Sequence, residues 1–97
     1  MFGKKDGKKN AAIDGLSLVP GVSVLETEKG TVLFDGRQGR YFQLNELGLI
    51  VVKSLGEAMG VDAIVRRVVE AYDVDAKTAD ADVRAFLAQI KELGVAA

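Results

Sequence analysis

Four aspartates, Asp73, Asp75, Asp80 and Asp82, fall close together near the C-terminal end of the 97-residue chain. Two carboxylates at the right separation can act as acid and base, or as acid and nucleophile, in glycoside hydrolysis. That is a catalytic chemistry acidic residues can carry out alone. The sequence has no His and no Cys, which excludes imidazole bases, thiolate nucleophiles, disulfides and the common zinc and iron ligand sets. Gly36-Arg37-Gln38-Gly39 has the glycines of a phosphate cradle, but it joins two strand-like segments and no strand–loop–helix nucleotide motif follows. Lys4, Lys5, Lys8 and Lys9 concentrate positive charge at the N-terminus, as a solvated tail or a nucleic-acid or membrane arm does. The net charge of −1 provides no global field for a polyanion.

The aspartates lose their catalytic interest once their element is considered. Asp75 reads as the N-cap of a helix, and acidic side chains near a helix N-terminus complement its dipole without further function. Ala79, Val83, Phe86, Leu87, Ile90 and Leu93 follow it at helical spacing, and Gly94 stops the run as a C′ residue. Upstream, Asp62 is read as capping a second helix to Tyr72. Its apolar stripe is Val65, Val69 and Tyr72, with Ile64 and Val68 beside it, while Arg66, Arg67 and Glu70 face out. Asn45 reads as the cap of a first helix from about Glu46 to Leu55. Gly48 inside that helix costs about 1 kcal/mol relative to Ala, which implies a close approach, expected against the sheet.

Before the helices the hydrophobic period changes to two. Val22 and Val24 alternate with Ser23 and Leu25, Thr31–Asp35 forms a second strand, and Arg40-Tyr41-Phe42-Gln43-Leu44 a third. Glu28-Lys29-Gly30 and the glycine-flanked Gly36–Gly39 loop supply the turns. Residues 1–15 read as a flexible Lys/Gly-rich tail, and 16–97 as one domain. Hydrophobic residues at 48% and charged residues at 28% describe a chain with an ordinary globular core. No secretory signal or membrane-length apolar run is present, so the expected location is the cytoplasm. The order β-β-β-α-α-α predicts an α+β domain, a three-stranded antiparallel sheet followed by three helices. Such a sheet keeps two edges, whose N–H and C=O groups accept another chain as an added strand. A second copy of the protein, giving a homodimer, satisfies the same edge.

The stretch Gly39-Arg40-Tyr41-Phe42-Gln43-Leu44-Asn45-Glu46-Leu47-Gly48 resembles the signature of the PqqD-like family, the recognition elements of ribosomally synthesised peptide natural-product pathways. The resemblance extends from about Val22 to Val95 and includes Tyr72-Asp73-Val74-Asp75 and Ala79-Asp80-Ala81-Asp82-Val83. It is strongest to the discrete recognition proteins of lasso-peptide biosynthesis. It implies a winged-helix-like fold, no enzymatic activity and no cofactor. It also implies a leader peptide lying antiparallel on the third strand, in a groove walled by the third helix, and partnership with a cysteine-protease leader peptidase and an ATP-dependent cyclase.

The candidate peptide-binding residues are Arg40, Tyr41, Phe42, Gln43 and Leu44 from the strand and Val83, Arg84, Phe86, Leu87 and Ile90 from the helix. Arg37, Arg40 and Arg84 are candidates to pair with acidic leader residues, and Tyr41, on the opposite face of its strand, to meet a partner enzyme. Two other readings compete. A PqqD-type chaperone would serve a radical SAM enzyme on another precursor, such as that of pyrroloquinoline quinone. A nucleic-acid-binding winged helix would share the topology, but its recognition helix should be basic. Here Asp75, Asp80, Asp82 and Glu92 outnumber Lys77, Arg84 and Lys91, which argues against nucleic acid as a partner.

Overall fold

The computed structural model describes residues 13–97; of the tail expected over residues 1–15, residues 1–12 lie outside the described residues. Strands β1 (Val22–Thr27), β2 (Gly30–Asp35) and β3 (Arg40–Gln43) precede helices α1 (Glu46–Gly56), α2 (Val61–Tyr72) and α3 (Ala76–Glu92). This is the α+β order that the hydrophobic periods predict. The strands form an antiparallel meander in the order β1-β2-β3, with β2 central. Its two turns use glycines at positive φ, Gly30 at 121° and Gly39 at 66°, where an L side chain would be strained. Among the described residues no helix is long and apolar enough to cross a membrane.

The pairing register fixes which side chains share a face. Val24, Leu33 and Phe42 are cross-strand neighbours, as are Val22, Asp35 and Arg40. This row faces the helices: Leu33 and Asp35 are buried, and Val22, Val24 and Phe42 pack against the core. Ser23, Phe34 and Tyr41 form one row on the other face, and Leu25, Val32 and Gln43 the next. Beneath the sheet, Val51 and Leu55 of α1, Ile64 and Val68 of α2, and Val83, Leu87 and Ile90 of α3 close the core. The inward stripe of α2 therefore centres on Val61, Ile64, Val65 and Val68, and Tyr72 stays at the exposed margin.

Several caps are as the sequence predicts. The Asn45 side chain accepts from the Gly48 N–H at 2.8 Å, Asp75 accepts from the Thr78 N–H, and Gly94 follows α3 at a φ of 79°. Asp62 is a correction: it sits in the first turn of α2, and Gly60 is the N-cap. The orphan N–H of Val61 instead donates to the carboxylate of Asp14, 3.0 Å away, so contacts between the N-terminal segment and the domain include a helix cap. Residues 17–19 then run antiparallel to the chain's last residues, through Ser17 N–H to Ala97 O and Val19 N–H to Val95 O. Arg67 is also corrected. Rather than facing outward, it donates to Ser54 Oγ and pairs with Glu57, tying α2 to the end of α1 and holding the Glu57 carboxyl below its usual range.

Gly48 has the close approach its position implied, but to a different partner. A Cβ there would lie 3.0 Å from Phe86 Cε1, 3.2 Å from Asn45 Oδ1 and 3.2 Å from Leu44 Cδ2. The neighbour is α3 together with the segment leaving β3, because α1 begins where the strand ends and crosses beneath Phe86. Gly48→Ala should therefore lower stability by about 1 kcal/mol in thermal unfolding, although Ala is the better helix former, because overpacking and a disturbed cap outweigh propensity. A raised melting temperature would show that Phe86 swings aside at no cost.

Candidate functional site

One edge of the sheet is β3, and its hydrogen-bonding pattern follows from two observations. Leu44 N–H donates to Thr31 O at 2.9 Å, and Arg40, Phe42 and Leu44 share one phase of the β2–β3 register. In an antiparallel ladder the hydrogen-bonded and non-bonded pairs alternate. Arg40, Phe42 and Leu44 therefore spend their backbone groups on β2, whereas Tyr41 and Gln43 turn their N–H and C=O groups outward. Two residues, not the whole strand, offer a ladder to an incoming chain.

Beside this edge lies a groove. Phe42, Leu44 and Leu33 from the sheet and Phe86, Gln89, Ile90 and Leu93 from α3 enclose a volume of about 340 Å³, with Tyr41 and Gln43 at its rim. The depression continues past Leu44 and Asn45 and ends between Leu47, Asp82 and Ala85; Phe86 and Gln89 line it throughout. It has the form needed for an extended segment, with a row of open backbone groups along one wall and an apolar floor beside them.

The helix contributes through a stripe displaced by one residue from its core stripe. Ala79, Val83, Leu87 and Ile90 are buried, and Asp82, Phe86, Gln89 and Leu93 run beside them at i+4, i+3, i+4. Of the sequence candidates, Tyr41, Phe42, Gln43, Leu44, Phe86 and Ile90 are brought together at the groove. Val83 and Leu87 are fully buried, with no exposed surface, and belong to the core. Arg84 lies on the other flank of α3, donating to Asp80 at 3.0 Å and reaching Asp62, in a small cleft with Asp14 and Val61. Sequence reasoning passed over Gln89, Leu93, Leu47, Asp82 and Ala85. The i, i+4, i+7, i+11 spacing from Asp82 to Leu93 was the available signal.

Arg37 and Arg40 have work within the fold. Asp35 is completely buried and accepts from the Arg37 backbone N–H and Nε and from Arg40 NH2, at 3.1, 2.9 and 2.9 Å. The same guanidinium groups donate onward to Gly94 O and Leu93 O at 3.1 Å, the carbonyls that the end of α3 leaves without helical partners. The Arg37 and Arg40 hydrogen bonds hold the Asp35 carboxyl far below the usual carboxylate range. This ionic clip joins the β2–β3 hairpin to the C-terminal end of α3 and so closes one end of the groove. Arg40 also rests over the Phe42 ring, 5.1 Å from its centroid, a cation–π contact that braces the groove floor.

A protein-family model described as "Coenzyme PQQ synthesis protein D (PqqD)" matches residues 30–96, from the first residue of β2 to the buried Ala96. Two solved structures are similar over most of their length. One is described as lasso peptide synthetase B1 complexed with the leader peptide. It is 32% identical, covers 86% of this chain and 98% of that chain, and has a TM-score of 0.78. The other is TbiB1 in complex with the TbiA(beta) leader peptide, 25% identical over 82% of this chain and 93% of that chain, with a TM-score of 0.73. No curated protein matches the chain.

Proposed function

The chain belongs to the PqqD family, and from that membership we propose that it binds the leader segment of a ribosomally synthesised precursor peptide as an added strand on β3. The observation that carries the proposal is the coincidence of the outward backbone groups of Tyr41 and Gln43 with the apolar groove lined by Phe86 and Gln89. The leader-peptide complexes formed by the two structural neighbours support it. The leader runs antiparallel to β3, hydrogen-bonds at two positions, and drops alternate side chains onto Phe42, Phe86, Ile90 and Leu93. The protein supplies binding and orientation, not chemistry. By holding the precursor it raises the local concentration of substrate for a leader peptidase and an ATP-dependent cyclase of lasso-peptide biosynthesis. The family's description, a coenzyme PQQ synthesis protein, also favours a second reading, service on a quinone-precursor peptide, for which the resemblance implies a radical SAM partner enzyme. The groove chemistry is the same in both.

The test is a fluorescence-anisotropy titration against labelled lasso-type leaders, including the TbiA(beta) leader, against a quinone-precursor peptide and against a short DNA duplex. Saturable binding of a lasso leader is the expected result, and binding of the quinone precursor alone would move the pathway. DNA binding with neither peptide bound would refute the proposal. Phe86→Asp should weaken leader binding by at least about tenfold, because a carboxylate replaces an apolar anchor in the groove. Circular dichroism must first show that the variant is folded, since Phe86 also packs against Gly48.

A further inference from the structure

Resting on the reading of β3 as the peptide-binding edge, we propose that Tyr41 is a second specificity determinant. It reads the bound peptide from the face of the sheet opposite the groove and favours an aromatic or β-branched side chain there. The argument is one of register. The outward backbone groups belong to Tyr41 and Gln43, so the peptide residue that pairs with Tyr41 lies directly across from it. Directly opposed residues of an antiparallel pair project their side chains to the same face. That face is the outer one, because Tyr41 shares it with Phe34 and Ser23. The next peptide residue, opposite Phe42, points into the groove instead. A leader bound in this way is read on two faces by adjacent residues, and the groove accounts for one of them.

Tyr41 is built for this contact. It is 64% exposed, the most exposed of the large hydrophobic side chains on the sheet, so its ring contributes little to the core. It is nevertheless held in place: its ring centroid lies 4.7 Å from that of Phe34, at an interplanar angle of 37°. The pair leaves part of the Tyr41 ring exposed beside the position an added strand would take. Free sheet edges are ordinarily protected by charge or by proline. Here the two side chains flanking the open N–H groups, Tyr41 and Gln43, are both uncharged, and Gln43 is occupied with the Lys29 carbonyl at 3.2 Å. An aromatic placed beside an unprotected edge extends the Phe34–Tyr41 row onto whatever strand joins it.

Selection of random linear peptides displayed on phage tests this, with the wild-type protein and Tyr41→Thr as parallel baits. Threonine keeps the strand preference, and equal melting temperatures establish equal folding. Wild type should enrich peptides with apolar residues at every second position and an aromatic or β-branched residue between two of them. Tyr41→Thr should enrich the same alternate apolar pattern without that preference. In the wild type, replacing the interposed residue of a selected peptide by Ser should weaken binding about two- to fivefold, the range of a cross-strand pair. An interposed position equally unselective with both baits, or insensitive to Ser, would overturn the role of Tyr41 while leaving the groove reading intact. Failure to enrich any alternating peptide would remove the groove reading and this inference together.

Discussion

Gln43→Pro should leave the protein folded and nearly unable to bind leader, whereas Phe42→Pro, one residue away, should compromise the fold. Both substitutions remove a backbone N–H and fix φ. They differ in where that N–H points. Phe42 pairs with Leu33 in the bonded phase of the β2–β3 ladder, and Leu33 is a core residue only 1% exposed. Proline there breaks a bond the sheet needs. The N–H of Gln43 points to the open edge, where proline is tolerated. There it would remove one of the two donors available to an added strand and place its ring where the peptide carbonyl should sit. One net hydrogen bond together with that clash corresponds to a loss of roughly tenfold or more in affinity. Gln43→Ala controls for the lost side-chain bond to Lys29 O and should bind close to wild type. A folded Gln43→Pro protein with wild-type affinity would show that the leader does not pair with β3.

The contrast between neighbouring prolines shows what could and could not be read from sequence. Strands, turns and caps are local. Period-two alternation, Gly30 and Gly39 in the turns, and Asn45, Asp75 and Gly94 at helix ends each depend on a few adjacent residues, and each has the role its chemistry predicts. The phase of the ladder is not local, because it is set by the register of β2 against β3. Nothing within Arg40–Gln43 reveals that Tyr41 and Gln43, not Phe42, face the open edge.

The same division runs through the site. Phe86 and Leu87 are both large, apolar and adjacent, but a rotation of one helical position sends Leu87 into the core and Phe86 into the groove. Hydrophobicity alone ranks them together. Gln89 was invisible for the opposite reason, since a polar residue on a helix is normally solvated surface. The error at Asp62 also has a physical cause: an acidic residue stabilises a helix N-terminus both as cap and in the first turn. The carboxylate that accepts from the Val61 N–H, that of Asp14, is 47 residues away in sequence. Arg37 and Arg40 read as surface charges available to a ligand because a buried Asp35 and the ends of α3 are tertiary facts.

That buried aspartate carries the largest expected effect on stability. Asp35→Asn should lower the melting temperature by on the order of 10 °C at neutral pH, because it leaves two guanidinium groups beside a neutral amide. It also weakens their hold on the Leu93 and Gly94 carbonyls. The pH dependence identifies the cause. The Asp35 carboxyl is held well below its ordinary value of 3.8 by Arg37 and Arg40, so the folded state prefers the anion more strongly than the unfolded chain does. Its contribution is therefore fully present above the unfolded value and is lost as pH falls through and below it. Glu57 and Asp75 are lowered as well, by Arg67 and by the Thr78 N–H respectively, and add to acid lability with the same sign. They remain in the variant, so only the difference between the two proteins reports Asp35. That difference should be greatest near pH 7 and should shrink between about pH 5 and pH 2, where the unfolded chain takes up a proton at this carboxyl that the folded state does not. A gap that stays constant across this range would mean that Asp35 acts through shape and neutral hydrogen bonding. A gap that closes would show that a charge in the sheet holds the end of α3, and with it one end of the groove, in place.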